Sequence, residues 1–292
     1  MNKQKIYPQW FLLLPLALYI FFFLAPGLSG ILYSFTDWNA RSNNVINFIG
    51  FDNFIEIFSS KTNYAQGIFN TLRFTIISNI VKLIPALFLA ILLQKGLKGQ
   101  NYYRTILYLP SILPFLIIGL TFTSILNFNN GLLNRTLDFL QLDFFKQKWL
   151  SDLDVVWKSI YGVDAWRGIG YVMTIFLAGL NTIPSTYYEA ADIDGANFFQ
   201  QLIYITLPML TGAITINLVF GITYGLKVFD IVYILTNGGP GHATEVATTY
   251  AYNLYANGRY GLSSALNSIL FVITMIIGIL VVRMMSKQEV QQ

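Results

Sequence analysis

The sequence predicts an all-α membrane protein with about six transmembrane helices. Three observations predict it. Of the 292 residues, 55% are hydrophobic and only 11% charged, against about 25% charged in soluble domains, and the mean hydropathy is +0.56. Apolar runs of about 20 residues, the length that crosses a hydrocarbon core, recur along the whole chain. The connections between them alternate in character, short and basic or longer and nearly balanced in charge.

The first run, Trp10–Tyr33, is too long for the h-region of a signal peptide, about 7–15 residues. No small-x-small cleavage site follows it before Thr36-Asp37-Trp38, so it is expected to remain as a span. The other runs are Ile68–Leu93, Tyr102–Leu126, Trp157–Leu180, Leu207–Thr236 and Leu262–Met285. Pro15, Pro26, Pro85, Pro110 and Pro114 fall inside spans, which is tolerable where neighbouring helices satisfy the freed carbonyls. A compact bundle is therefore expected. Without repeats, low-complexity segments or a separating linker, the chain reads as a single transmembrane domain over residues 1–292.

Lys3 and Lys5 precede the first span, Lys95, Lys98 and Arg104 border the connection after the second, and Arg283 and Lys287 follow the last. These short basic segments read as cytoplasmic, which places both termini there. The connections 34–67, 127–156 and 237–261 read as external. By alternation residues 181–206 are cytoplasmic, yet this stretch carries Glu189, Asp192 and Asp194 and no Lys or Arg. The segment expected to be most basic is acidic.

Several function classes drop out. The chain has no cysteine, which excludes disulfides, thiol nucleophiles and cysteine metal sites; no metal site is expected. A net charge of +4 indicates no nucleic-acid partner and fits the mild basic bias of membrane proteins. No G-x-x-x-x-G-K-[ST] run occurs; Gly96-Leu97-Lys98-Gly99 lacks the loop, so no ATP is bound by that route. The single histidine, His242, lies in a glycine-rich external turn and is expected to be solvated. The match Asn134-Arg135-Thr136 to a glycosylation site is expected by chance in an Asn-rich chain.

The acidic segment has a helix-like pattern in Tyr188, Ala191, Ala196, Phe199, Leu202 and Ile203, interrupted by Gly195 and closed by Pro208 at the start of the next span. Two short helices bent at a glycine are expected. An interfacial helix facing lipid alone normally carries Lys and Arg; acidic points suit a protein partner with a basic, apolar-lined groove better.

Glu189-Ala190-Ala191, Asp194-Gly195-Ala196 and Ile205-Thr206-Leu207-Pro208 resemble the "EAA" loop of binding-protein-dependent ABC importer permeases. Leu180-Asn181-Thr182-Ile183-Pro184 resembles the lead-in to that loop in the carbohydrate branch. Leu235-Thr236-Asn237-Gly238-Gly239-Pro240 with Thr244 resembles a segment of its first, maltose and glycerol-phosphate "F/A" type, permease subunit. The resemblance covers most of the chain. It implies the type I ABC importer permease fold, with a coupling loop at 181–207 that docks into a groove on an ATP-hydrolysing subunit. Glu189 would meet a basic side chain there, Ala190 and Ala191 would allow close approach, Asp194 would add an acidic point, and Gly195 would make the bend. It further implies that ATP and Mg are bound by two partner subunits, with no cofactor in this chain. The other implied partners are a second permease subunit, an extracellular sugar-binding protein and membrane lipid, in the cytoplasmic membrane of a bacterium.

Polar groups inside spans are costly and so informative. Lys82 lies near the middle of the second span, Asp164 and Arg167 in the outer part of the fourth, and Lys227 and Asp230 in the outer half of the fifth. Similar depth allows Arg167 and Asp230 either to pair or to meet substrate. Gly221, Tyr224, Gly225 and Val228 share one helical face at i, i+3, i+4, i+7, and Gly168 and Tyr171 form a similar pair after Trp166. Such faces suit either close helix packing or a sugar against an aromatic ring. The resemblance implies a sugar site at Arg167, Gly168, Tyr171, Gly221, Tyr224, Gly225 and Val228. In that branch Asn often occupies the fifth-span face; here Gly225 and Val228 stand there, leaving the sugar unspecified.

The reading is a permease subunit, not itself an enzyme, of an ATP-driven importer for a carbohydrate, an oligosaccharide by expectation. The alternatives are the same architecture for glycerol phosphate, which wants two or more cationic groups, and an intramembrane lipid-modifying enzyme, for which the loop acids are the only cluster.

Overall fold

The computed structural model describes residues 9–41, 45–94, 96 and 98–289. Lys3, Lys5, Lys95 and Leu97 lie outside the described residues, as does the side chain of Lys287. The helices in chain order are α1 (Leu13–Tyr33), α2 (Asp52–Ile57), α3 (Tyr64–Gln94), α4 (Gln100–Ile112), α5 (Phe115–Ile125), α6 (Leu132–Phe139), α7 (Val156–Leu180), α8 (Ser185–Ile193), α9 (Phe198–Met209), α10 (Thr211–Leu226), α11 (Asp230–Thr236), α12 (Ala247–Ala256) and α13 (Tyr260–Glu289). Among the described residues there is no strand, only an isolated bridge between Thr36 and Phe48.

Three helices, α1, α3 and α13 over Tyr260–Arg283, are each long and apolar enough to cross a membrane. Three bent pairs supply the remainder: α4 with α5 at 96°, α7 with α8 at 75°, and α9 with α10 at 70°. The total of six is reached when each bent pair counts as one span.

Two runs expected as continuous helices are broken. The third parts at Leu113, whose ψ of 139° is extended, because the ring of Pro114 excludes the residue before it from the helical region. The fifth bends at Leu210 and then opens again at Lys227–Phe229 before α11. There the Val228 carbonyl, released from the helix, accepts the Thr248 hydroxyl, so the break leaves no orphan acceptor at that point.

The chain divides into two compact units. One comprises residues 1–65 and 250–271. Within it, the Asn53 amide donates to the Ser34 and Thr36 carbonyls, each at 2.8 Å, and Gly261 N–H donates to the Trp38 carbonyl at 2.8 Å. Arg259 grips Glu56 with both distances at 2.8 Å. By contrast α1 buries none of its apolar span inside the chain.

The other unit comprises residues 66–249 and 272–292 and holds two cores. Phe74, Trp157, Ile160, Val228, Ile231 and Val232 belong to one, and Ala86, Ala90, Met173, Phe176, Leu180 and Leu210 to the other. Helices pack closely in lipid where small residues let backbones approach, and α7 meets α4 in this way. A Cβ at Gly170 would fall on the Leu107 carbonyl.

Candidate functional site

Within the second unit, helices α3, α4, α7 and α10 enclose a cavity of about 440 Å³, a size suited to small-molecule binding. Its charged floor is built from α3 and α7. Lys82 Nζ lies 2.9 Å from Asp164 Oδ2, with both side chains buried. Asp164 also accepts the Ser78 hydroxyl at 2.5 Å and the Tyr224 hydroxyl at 2.7 Å. Lys82 Nζ stands 4.5 Å from the centre of the Tyr224 ring. Three donors therefore hold one carboxylate, the arrangement a buried charge requires, and the Tyr224 ring lies against the ammonium that pairs with it.

Gly168 is what admits Lys82: a Cβ there would lie 2.6 Å from the lysine Cδ. Gly221 does the same for Asn79, whose amide would overlap a Cβ at that position. Tyr171 and Phe220 stand edge to face at 6.5 Å and line one wall, with Asn217 beside them. Tyr108 and Ser111 of α4 close the other side.

The cavity thus brings together Lys82, Arg167, Gly168, Tyr171, Gly221 and Tyr224 from the expected set. Gly225 and Val228 are not part of it. Gly225 is buried against Thr75, with a hypothetical Cβ 2.7 Å from its Cα, so its role is close packing. Val228 lies past the end of α10 and enters the core beside Phe74, which takes it off the face that a continuous helix would have given it. The pairing of Arg167 with Asp230 does not form. Among the described residues Arg167 has no carboxylate within ion-pair distance, and its guanidinium lies 3.6 Å over the Phe115 ring. The break at Lys227–Phe229 carries Asp230 into the first turn of α11, where it lines an adjoining hollow with Lys227.

Sequence reading missed Asn79, Tyr108, Ser111 and Asn217. Two of them carried a signal: Asn79 precedes Lys82 by three residues, and Asn217 precedes Gly221 by four, so each shares a face with a residue already singled out.

The acidic segment folds as an elbow. Helix α8 ends at Ile193 with Asp194 as its cap, and Gly195 turns the chain at φ +74°, a conformation that costs glycine nothing. Asn197 then caps α9 in a reciprocal box with Gln200, at 3.0 and 2.7 Å. The second helix is longer than expected, running through a π-helical stretch at Leu202–Thr206 to Met209. Tyr188 and Thr206 join hydroxyls at 3.0 Å and tie the two arms. Asp192 is occupied within the elbow by the Gln201 amide at 2.6 Å. Glu189, Ala190, Asp194 and Gly195 are exposed and Ala191 half-buried, beside Ile193 at 86% and Phe199 at 70% exposure.

The glycine-rich segment after α11 is internally bonded. Thr244 donates to the Gly239 carbonyl at 2.6 Å and meets Thr236 at 2.8 Å. His242 is 65% exposed, with Nδ1 3.7 Å from Glu245, in keeping with a solvated side chain.

A polar, aromatic-walled cavity among bent membrane helices, with an acidic elbow projecting from the same unit, defines a membrane transport component. The chain belongs to the family of binding-protein-dependent transport system inner membrane components, matched over residues 82–288. It is 32% identical to the probable ABC transporter permease protein YurN of Bacillus subtilis, over 96% of both chains. It is 34% identical to the trehalose/maltose transport system permease protein MalF of Thermococcus litoralis, over 78% of this chain and 76% of that one. Among solved structures it resembles a chain of a bacterial alginate ABC transporter in complex with an alginate pentasaccharide-bound periplasmic protein, with TM-score 0.79 and 25% identity over 93% of this chain and 91% of that one. The family is one of transport components and not of enzymes, which sets aside the intramembrane lipid-modifying alternative.

Proposed function

We propose that the chain is the permease subunit of an ATP-driven importer for a carbohydrate, an oligosaccharide, in the cytoplasmic membrane of a bacterium with both termini in the cytoplasm. The observation that carries the reading is the cavity: aromatic faces at Tyr171, Phe220 and Tyr224 stand beside Asn79, Ser111 and Asn217, a lining that matches the apolar ring faces and hydroxyl rims of a sugar. Relatives named for maltose, trehalose and alginate transport support it.

A sugar-binding protein delivers substrate to the external loops, and a second permease subunit completes the path. Two ATP-binding subunits hold ATP and Mg, and one of them receives the elbow at 181–207. The exposed set of Glu189, Ile193 and Phe199 supports that docking, with acidic points for a basic rim and apolar side chains for a groove. Closure of the ATPase pair draws the elbows together and shifts the bundle between inward- and outward-facing states.

The test is the complete complex in proteoliposomes, measuring uptake and ATP hydrolysis together. Glu189→Lys is expected to leave the permease inserted while separating hydrolysis from uptake. Full uptake by that variant refutes the docking role, and absence of any ATPase subunit from the purified complex refutes the whole reading.

A further inference from the structure

The cavity holds three charged groups, and two of them cancel. Lys82 and Asp164 form the buried pair, and the hydroxyls of Ser78 and Tyr224 also donate to that carboxylate. Arg167, one turn along α7 from Asp164, is left over. It has no carboxylate partner among the described residues, its Nε is buried without an acceptor, and its guanidinium carbon stands 3.6 Å from the centre of the Phe115 ring. An uncompensated cation inside an apolar bundle is costly to keep. A guanidinium fixed over an aromatic ring is also a pre-set fork for a carboxylate.

A second orphan lies nearby. Asn217 Oδ1 is buried without a donor, and its Nδ2 makes only a long bond of 3.4 Å to the Val172 carbonyl. That oxygen is an acceptor waiting for a hydroxyl.

Resting on the carbohydrate reading of this cavity, we propose that its substrate is an acidic saccharide, a uronic-acid-type sugar whose carboxylate sits on Arg167 and whose ring hydroxyl donates to Asn217. The charge count selects a monoanion. A phosphate ester, with a charge near −2 at neutral pH, requires a second free cation. Lys82 is already neutralised, and Lys227 lines the adjoining hollow beside Asp230.

Uptake by cells carrying the complete transporter tests this with three matched probes: a disaccharide ending in glucuronate, the same disaccharide ending in glucose, and its 6-phosphate. The expected result is uptake of the glucuronate form. In Arg167→Gln that uptake falls about ten- to hundredfold, the loss of a charge-assisted contact, and Arg167→Lys falls between. Co-purification of the second permease subunit and the ATP-binding subunits with Arg167→Gln reports an assembled complex. Preference for the glucose or phosphate form, or unchanged glucuronate uptake in Arg167→Gln, overturns the charge assignment and leaves the carbohydrate reading standing. Loss of the second permease subunit from the Arg167→Gln complex also overturns it, by assigning Arg167 to a carboxylate of that subunit. Uptake of none of the three by the unaltered transporter overturns the carbohydrate reading as well.

Discussion

Replacing Asp164 by Asn isolates the cost of the cavity's buried ion pair. At the observed 2.9 Å separation and an effective dielectric of about 20, the gross attraction is roughly 6 kcal/mol. Desolvation of both ions offsets much of that, so the pair is worth little against two apolar groups of the same shape. The cost of breaking it one-sidedly is different. Asp164→Asn strands the Lys82 cation in a buried cavity that already holds Arg167, and the expected loss is about 3–5 kcal/mol. Lys82→Met strands the carboxylate with Ser78 and Tyr224 still donating to it, and should cost less than Asp164→Asn. The double variant Lys82→Met/Asp164→Asn removes both charges and is expected to recover at least about half of the larger loss. Equilibrium unfolding of the purified permease in mixed micelles measures all four corners of this cycle. A loss under about 1 kcal/mol for Asp164→Asn, or a double variant worse than both singles, would refute the argument that the two charges exist for each other.

Three further outcomes are expected. Gly170→Ala should destabilise the protein by about 1–3 kcal/mol, because its Cβ meets the Leu107 backbone, which cannot step aside. Gly162→Ala, with open space around it on the same helix, should be neutral or slightly stabilising; thermal unfolding of the two variants side by side decides. In the elbow, Gly195→Ala forces a side chain into φ +74°, a strain of about 1–2 kcal/mol. Uptake per ATP hydrolysed should fall in Gly195→Ala and be largely retained in Gly195→Asn, since Asn tolerates that region. In the loop after α1, Asp37 accepts the backbone and side-chain N–H groups of Asn47 at 2.8 and 2.9 Å. These bonds, the side-chain one first, hold its carboxyl below the ordinary 3.8. A depressed carboxylate stabilises the loop fully above its unfolded value and loses that contribution as pH falls through the folded one. The protection factor of the Asn47 amide, its exchange rate relative to the intrinsic rate at each pH, should therefore hold down to the ordinary value and fall only below it; a fall already near neutral pH would count against the contact.

Much of the fold was legible because its elements obey simple rules. Apolar run length placed α3, α7 and α13 to within a few residues, and Gly195 with Pro208 marked the bend and the entry to the next span. What stayed hidden depended on where helices stop. Hydropathy treats Leu207–Thr236 as one run, yet the chain leaves the helix at Lys227, so Val228 and Asp230 point elsewhere than a 3.6-residue period places them. Pro114 carried the clue to the break at Leu113, but proline is tolerated within spans often enough that its effect is set by tertiary packing. The Lys82–Asp164 pair escaped for a related reason. Each residue was visible as a costly intramembrane charge, but the two lie 82 positions apart and meet only through the packing of α3 on α7.

The features that resist local rules are also those that need something outside the chain. α1 is an apolar span that buries nothing within it. The elbow is acidic where basic residues are expected, and it exposes Ile193 and Phe199 beside Glu189. Arg167 and Asn217 leave buried polar atoms without partners although Asp164, on the same helix as Arg167, has three donors. A stable isolated protein would have paired, capped or neutralised each of these. On the readings proposed above, each has its own partner: lipid or another apolar helix for α1, a cationic and apolar groove for the elbow, and a small molecule with one negative charge and hydroxyls for the cavity. If the elbow and the cavity belong to one machine, filling the cavity should change exposure at the elbow. Comparing hydrogen exchange across residues 185–201 with and without the glucuronate disaccharide, in the complete complex, measures that link. Identical exchange at saturating sugar would separate the two sites and leave the elbow responsive to nucleotide alone.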